Sequence, residues 1–128
     1  KLSAVQLHGQ EDEQYIASLR SELPRNCQIW KAQAIKDALP QPVAGADRHL
    51  YDTHSDSHAG GTGKTFDWSV LRDATTPFML AGGLNPDNIS DALYYGALGL
   101  DLNSGVEQSP GKKCTKKLNH AFSSIRNY

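Results

Sequence analysis

Short apolar runs recur along the chain at intervals of roughly two to three dozen residues: AVQL (Ala4 to Leu7), IWKA (Ile29 to Ala32), HLYD (His49 to Asp52), FMLA (Phe78 to Ala81) and GLDL (Gly99 to Leu102). Each has the length of a strand, and most lie too close to a Gly or Pro to be helix interior. Helical patterns run between them. From Glu11 to Leu23 the residues Ile16, Leu19 and Leu23 share one face while Asp12, Glu13, Arg20 and Glu22 face water, and Pro24 ends the segment. Asn85 reads as an N-cap with Pro86 at the first helical position, and Ile89, Ala92 and Leu93 form a stripe that Gly96 stops. Lys112 to Arg126 sets Leu118, Phe122 and Ile125 on one face and lysines on the other; Asp67 to Leu71 fits a shorter helix. Gln33 to Asp47, with Pro40 and Pro42, reads as an irregular connection.

Strands alternating with helices imply parallel pairing, right-handed crossovers and an α/β architecture whose carboxyl-end loops carry function. About five βα units are visible. A closed (β/α)8 barrel needs eight, whereas a doubly wound open sheet is complete with five, and the pattern alone favours neither strongly. Two strand ends carry chemistry. AGGLN (Ala81 to Asn85) and LNSGVE (Leu102 to Glu107) each break an apolar run with glycine just before a helix-like segment. Consecutive strands ending this way expose backbone N–H groups on one side of a sheet, which is how parallel α/β proteins hold a phosphate. The expected ligand is a phosphorylated small molecule.

With 128 residues, 38% of them hydrophobic, the chain suits one soluble domain, and a formal charge of -1 leaves no broad basic surface for DNA or RNA. No apolar stretch approaches a membrane span, and the first residues lack a signal-peptide core, so a cytoplasmic location is expected. Cys27 and Cys114 show no CxxC spacing and read as reduced side chains rather than metal ligands. His49, His54 and His58 near Asp47 and Asp56 read as polar loop residues, because a Gly- and Ser-rich loop rarely fixes metal ligands; no metal and no cofactor are expected. GGTGKT (Gly60 to Thr65) is not a P-loop, since the position of the first glycine of that motif is His58. It is not GxGxxG either, since the last position is Phe66. The loop reads as a flap over the site or a surface connection. Trp30 and Trp68 read as packing residues, Lys31 as structural or substrate-facing, and the run Lys112, Lys113, Lys116 and Lys117 as a solvated helix face.

The ordered set VQLHG (Val5 to Gly9), IWKA (Ile29 to Ala32), LYDT (Leu50 to Thr53), GGTGKTFDW (Gly60 to Trp68), LAGGLNPDN (Leu80 to Asn88) and GLDLNSGVEQSPGKK (Gly99 to Lys113) resembles phosphoribosylanthranilate isomerase of tryptophan biosynthesis. The likeness is greatest to the version fused behind indole-3-glycerol-phosphate synthase. It implies that residues 1–128 are the carboxyl-terminal part of a (β/α)8 TIM barrel, five βα units similar to strands four to eight, with the first three units absent. The general-base cysteine and the arginine that the family carries on those units are then absent too, and neither Cys27 nor Cys114 stands in a matching motif. A sheet cut from a barrel leaves two unpaired edges. The chain is therefore expected to be a fragment, or one piece of a split barrel completed by another chain or copy, and inactive until joined to the amino-terminal units. A fused synthase domain is a further implied partner.

The resemblance implies an Amadori rearrangement of N-(5'-phosphoribosyl)anthranilate to 1-(2-carboxyphenylamino)-1-deoxyribulose 5-phosphate, needing an acid at the ribose ring oxygen and a base at C2. Asp52, in LYDT, matches the family's acid. A free aspartate titrates at about 3.9, so such a role requires a setting that keeps the carboxyl protonated. Gly82, Gly83, Ser104 and Gly105 correspond to the phosphate cradle, where a Cβ would obstruct the approach of the ligand and helix N-termini would add potential. His8 and Asp101 resemble residues lining the substrate cavity. A second reading, different in class, is a phosphate-binding half-barrel without turnover, or an assembly module.

Overall fold

In a computed structural model, which describes residues 1–53 and 67–128, five strands pair in parallel in the order of the chain. They are β1 (Ala4–Leu7), β2 (Gln28–Ala34), β3 (Arg48–Asp52), β4 (Phe78–Ala81) and β5 (Gly99–Asp101). Helix α1 (Glu13–Glu22) joins β1 to β2, a 3-10 segment (Trp68–Asp73) precedes β4, α2 (Ile89–Tyr94) joins β4 to β5, and α3 (Thr115–Arg126) closes the chain. A doubly wound sheet reverses its strand order at a switch point. The unbroken order here is that of a singly wound sheet, in which right-handed crossovers place the connecting helices on one face.

Registered residues of parallel strands share a face. Ile29, Lys31, Tyr51, Phe78 and Leu80 are buried on the helix-covered face, where Tyr51, Phe78 and Leu80 meet Leu71 and Ala92 in the main core. Burying an aliphatic chain as fully as Ile29 or Leu80 contributes about 1.5–3 kcal/mol. On the other face, Leu50 and Ala81 are buried, while Gln6, Ala34 and Arg48 are exposed and Trp30, Met79 and Asp101 are half-buried. Near the opposite rim, Arg20 of α1 ties the sheet together. Its guanidinium donates to Cys27 O (2.8 Å), to Gly45 O (3.3 Å) and to the Asp47 carboxylate, which also accepts the Ile29 N–H at 2.7 Å. Burial pushes the Asp47 carboxyl up, but these partners outweigh it and hold the pKa below the usual carboxylate value.

Three details differ from the sequence reading. Asn85 does not cap α2: its side chain accepts the Asp87 N–H (2.9 Å) and its own N–H donates to Asn88 Oδ1 (2.8 Å), so a polar turn delays the helix to Ile89. The last helix begins at Thr115, because Pro110 and Gly111 turn a hairpin of β6 (Glu107–Ser109) and β7 (Lys112–Lys113) ahead of it. The apolar stripe on α3 is only partly covered. Leu118 and Ala121 pack on Ile89 and Val106, but Phe122 is 53% and Ile125 36% exposed, since the main contacts of α3 are with α2 and the turn after β5.

Candidate active site

A cavity of about 490 Å³ opens at the carboxyl ends of the strands, a volume suited to a small-molecule substrate. His8, Asp52, Gly82, Gly83, Asp101, Ser104 and Gly105 all line it, so the seven residues singled out in the sequence are brought together. The sheet register does part of this. Ala34 pairs with Asp52, Asp52 with Ala81, and Ala81 with Asp101, which sets one row of side chains across four strands at the cavity floor. Asp52 and Asp101 lie two strands apart on that row, roughly 9–10 Å at ordinary strand spacing. The small Ala34 and Ala81 leave the space between and beside the carboxylates open.

His8 is held from behind. Lys31, 2% exposed, donates from Nζ to Gly9 O (2.8 Å) and to Glu11 Oε2 (2.8 Å), and the same carboxylate accepts the Gly9 N–H at 2.9 Å. The Lys31 hydrogen bond holds the Glu11 carboxyl below its ordinary value. Lys31 is thus structural: it faces the helix layer and anchors the turn that carries His8.

The glycine turn after β4 and the turn after β5 form the far wall. Gly82 and Gly83 adopt φ of 87° and 67°, the left-handed region open to glycine. At Gly105 the neighbouring turn imposes a constraint that was not read in the sequence. A Cβ there would lie 1.6 Å from Leu84 O and 2.7 Å from Leu84 C, so the missing side chain lets the two turns pack backbone to backbone. Its N–H donates to Leu102 O at 2.8 Å and closes the turn. Nor is there a long helix behind either turn: Asn103–Val106 is four residues of 3-10 helix and α2 is six residues, so a helix dipole adds little here.

Sequence reasoning missed the side chains that brace this wall. Thr53 Oγ1 donates to Gly82 O (2.6 Å), Asn88 Nδ2 to Gly83 O (3.0 Å), and Lys113 Nζ to Asn103 O (2.8 Å) and Glu107 Oε1 (2.7 Å). Lys117 Nζ donates to Glu107 O at 2.6 Å. Lys113 and Lys117 are therefore braces rather than a solvated helix face; a Glu and a Lys flanking Pro110-Gly111 were the available signal. Trp68 does pack on the main core, edge-on to Tyr95 at 6.5 Å, whereas Trp30 sits half-buried with its N–H on Gln28 Oε1 (2.8 Å). His54, Asp56, His58 and the loop Gly60 to Thr65 lie outside the described residues. Among the described residues no three His, Cys, Asp or Glu side chains gather as for a metal, and no helix is long and apolar enough to cross a membrane.

Residues 1–124 match the family model described as N-(5'phosphoribosyl)anthranilate (PRA) isomerase. Over 128 residues the chain is 52% identical to the tryptophan biosynthesis protein TrpCF of Vibrio parahaemolyticus, covering 99% of this chain and 26% of that protein. The phosphoribosyl anthranilate isomerase of Thermotoga maritima has a similar structure, with TM-score 0.75 and 29% identity over 99% of this chain and 63% of that one. A structure of the isomerase in complex with reduced 1-(o-carboxyphenylamino)-1-deoxyribulose 5-phosphate matches with TM-score 0.69 and 25% identity, over 99% of this chain and 61% of that one. The chain thus spans about a quarter of the curated relatives it matches and about three-fifths of these solved chains.

Proposed function

The chain belongs to the N-(5'-phosphoribosyl)anthranilate isomerase family, and from that membership we propose that it supplies the carboxyl-terminal five strands of a (β/α)8 barrel catalysing this isomerisation in tryptophan biosynthesis. The observation that carries the reading is the single cavity shared by Asp52, His8, Asp101 and the two glycine-bearing turns. In the proposed reaction the Asp52 carboxyl gives its proton to the ribose ring oxygen as the C1–O bond opens, leaving a Schiff base between C1 and the anthranilate nitrogen. A base then removes the C2 proton, and the resulting enolamine tautomerises to the ketose. The phosphate rests on main-chain amides of the two turns, while His8 and Asp101 border the sugar. No described residue in a family motif is assigned the base, which the resemblance assigns to the first strand of the barrel.

The partial-barrel reading draws support from the singly wound strand order and from β1 and β5, each of which has a strand neighbour on one side only among the described residues. It also draws support from the sheet face opposite the helices, which is half-exposed although parallel sheets are ordinarily covered on both faces. The proposed partners are the amino-terminal βα units, on the same or a separate chain, and a fused indole-3-glycerol-phosphate synthase domain. The test follows loss of the anthranilate-type fluorescence of the substrate with this chain alone and after mixing with the amino-terminal units. Turnover only on mixing is expected. Substrate binding without turnover in both samples would favour the phosphate-binding half-barrel, and turnover by the chain alone would overturn the assignment of the base.

A further inference from the structure

Taking the two turns to hold a phosphate, as proposed above, we infer that Lys113 is a positioning residue that aims and polarises the Ser104 N–H, with Thr53 doing the aiming for Gly83. In a trans peptide the carbonyl of one residue and the N–H of the next point in opposite directions, and the described residues contain no cis bond. Whatever grips the carbonyl therefore fixes the direction of the N–H that follows. Thr53 Oγ1 grips Gly82 O at 2.6 Å, which turns the Gly83 N–H the opposite way, and Lys113 Nζ grips Asn103 O at 2.8 Å, which does the same for Ser104. Gly82, Gly83, Asn103 and Ser104 line one cavity.

Lys113 does more than a neutral brace. Asn103 has φ 27°, the positive value adopted by a non-glycine residue among those described, and such a conformation persists only where its surroundings hold it. The ammonium on its carbonyl is such a hold. A cation on the carbonyl oxygen also draws electron density through the peptide and makes the Ser104 N–H a stronger donor to an anion. This matters because the described lining of the cavity includes the carboxylates Asp52 and Asp101 and no Lys or Arg. The ammonium is itself fixed: Glu107 Oε1 accepts from it at 2.7 Å, and the other carboxylate oxygen takes the Gly111 N–H at 3.1 Å. The hairpin after the turn thus delivers a positive charge to the back of the cradle, one peptide away from the ligand.

The experiment is a titration of the intact, 15N-labelled protein with inorganic phosphate, following the Gly83 and Ser104 amide resonances. Both are expected to shift and saturate. Lys113→Met is expected to weaken phosphate binding about tenfold, the loss of one charge-assisted hydrogen bond, and to abolish the Ser104 response while Gly83 still responds. Lys113→Arg, which keeps charge and donor, should restore Ser104. Lys113→Gln is expected to show the same selective loss and carries the test if the methionine variant loses its dispersed spectrum. No response from either amide in the unaltered protein overturns the phosphate reading and this inference together. A saturating response that the Met and Gln variants leave unchanged overturns this inference alone.

Discussion

Replacing Gly105 by alanine forces the two cradle turns apart. The new Cβ would lie 1.6 Å from Leu84 O, against a floor of 3.0 Å for real Cβ contacts, so the turns must separate by at least 1.4 Å, the difference of those two distances. The obstruction is backbone on both sides, and no side chain can rotate to relieve it. Overpacking of this kind costs about 1–3 kcal/mol, and a rigid carbonyl belongs at the upper end. For a chain of this size about 3 kcal/mol lowers the melting temperature by roughly 10 °C. Displacement by more than 1 Å between the two halves of a binding site should also lower turnover by about 10². Thermal melts and phosphate titrations of the intact protein measure the loss of stability and of the binding site, and turnover after mixing with the amino-terminal units measures the loss of rate. Gly96→Ala is the control: its φ of 84° makes a side chain strained, but nothing lies within 4 Å of the added carbon. It should cost only about 1–2 kcal/mol and leave phosphate affinity alone. If Gly105→Ala melts within about 2 °C of the parent and binds phosphate equally well, the turns do not pack as described.

Asp52→Asn should lower kcat by about 10²–10⁴ and leave binding of a product analogue intact, because only proton transfer is removed; near-normal steady-state kcat would exclude Asp52 as the acid. Glu11→Ala strands the buried Lys31 ammonium on one carbonyl, so its denaturation midpoint should fall, and adding Lys31→Met should recover much of the loss; equal midpoints for parent and Glu11→Ala would contradict the anchoring role. The Glu107 carboxyl is held below its ordinary value of 4.5 by the Lys113 hydrogen bond and the Gly111 N–H. Its contribution to stability is accordingly complete above about pH 4.5 and is lost as pH falls through the lower folded value. Melting temperatures of the parent should therefore drop more steeply below that pH than those of Glu107→Gln, and parallel curves would show that the bridge adds nothing.

The strands were legible because a buried parallel strand is a short, nearly continuous apolar run. FMLA is β4 residue for residue, and AVQL is β1. Pro24 likewise marked the end of α1, whose N-cap is Asp12. What failed was local competition that a periodic pattern does not register. Asn85 and Asn88 spend their side chains on a turn, and the hairpin consumes Lys112 and Lys113 ahead of α3. Strand order was out of reach for a related reason, since it depends on pairings between residues far apart in the chain. In the site, His8, Asp52 and Asp101 were singled out by the family resemblance, since a polar residue closing an apolar run is by itself more often structural or a turn-former. The bracing side chains were not singled out, because Thr53 acts on a carbonyl 29 residues away and a hydroxyl after a strand has no signature of its own. At Gly105 the neighbouring turn adds a constraint that a single sequence does not reveal.

A crystal structure of the assembled protein with reduced 1-(o-carboxyphenylamino)-1-deoxyribulose 5-phosphate bears most directly on the account. The phosphate should accept hydrogen bonds of about 3 Å from the Gly83 and Ser104 amides, with the ribulose chain running toward the Asp52 carboxyl. A ligand whose phosphate sits away from both turns, or whose sugar carbons lie out of reach of Asp52, would contradict it.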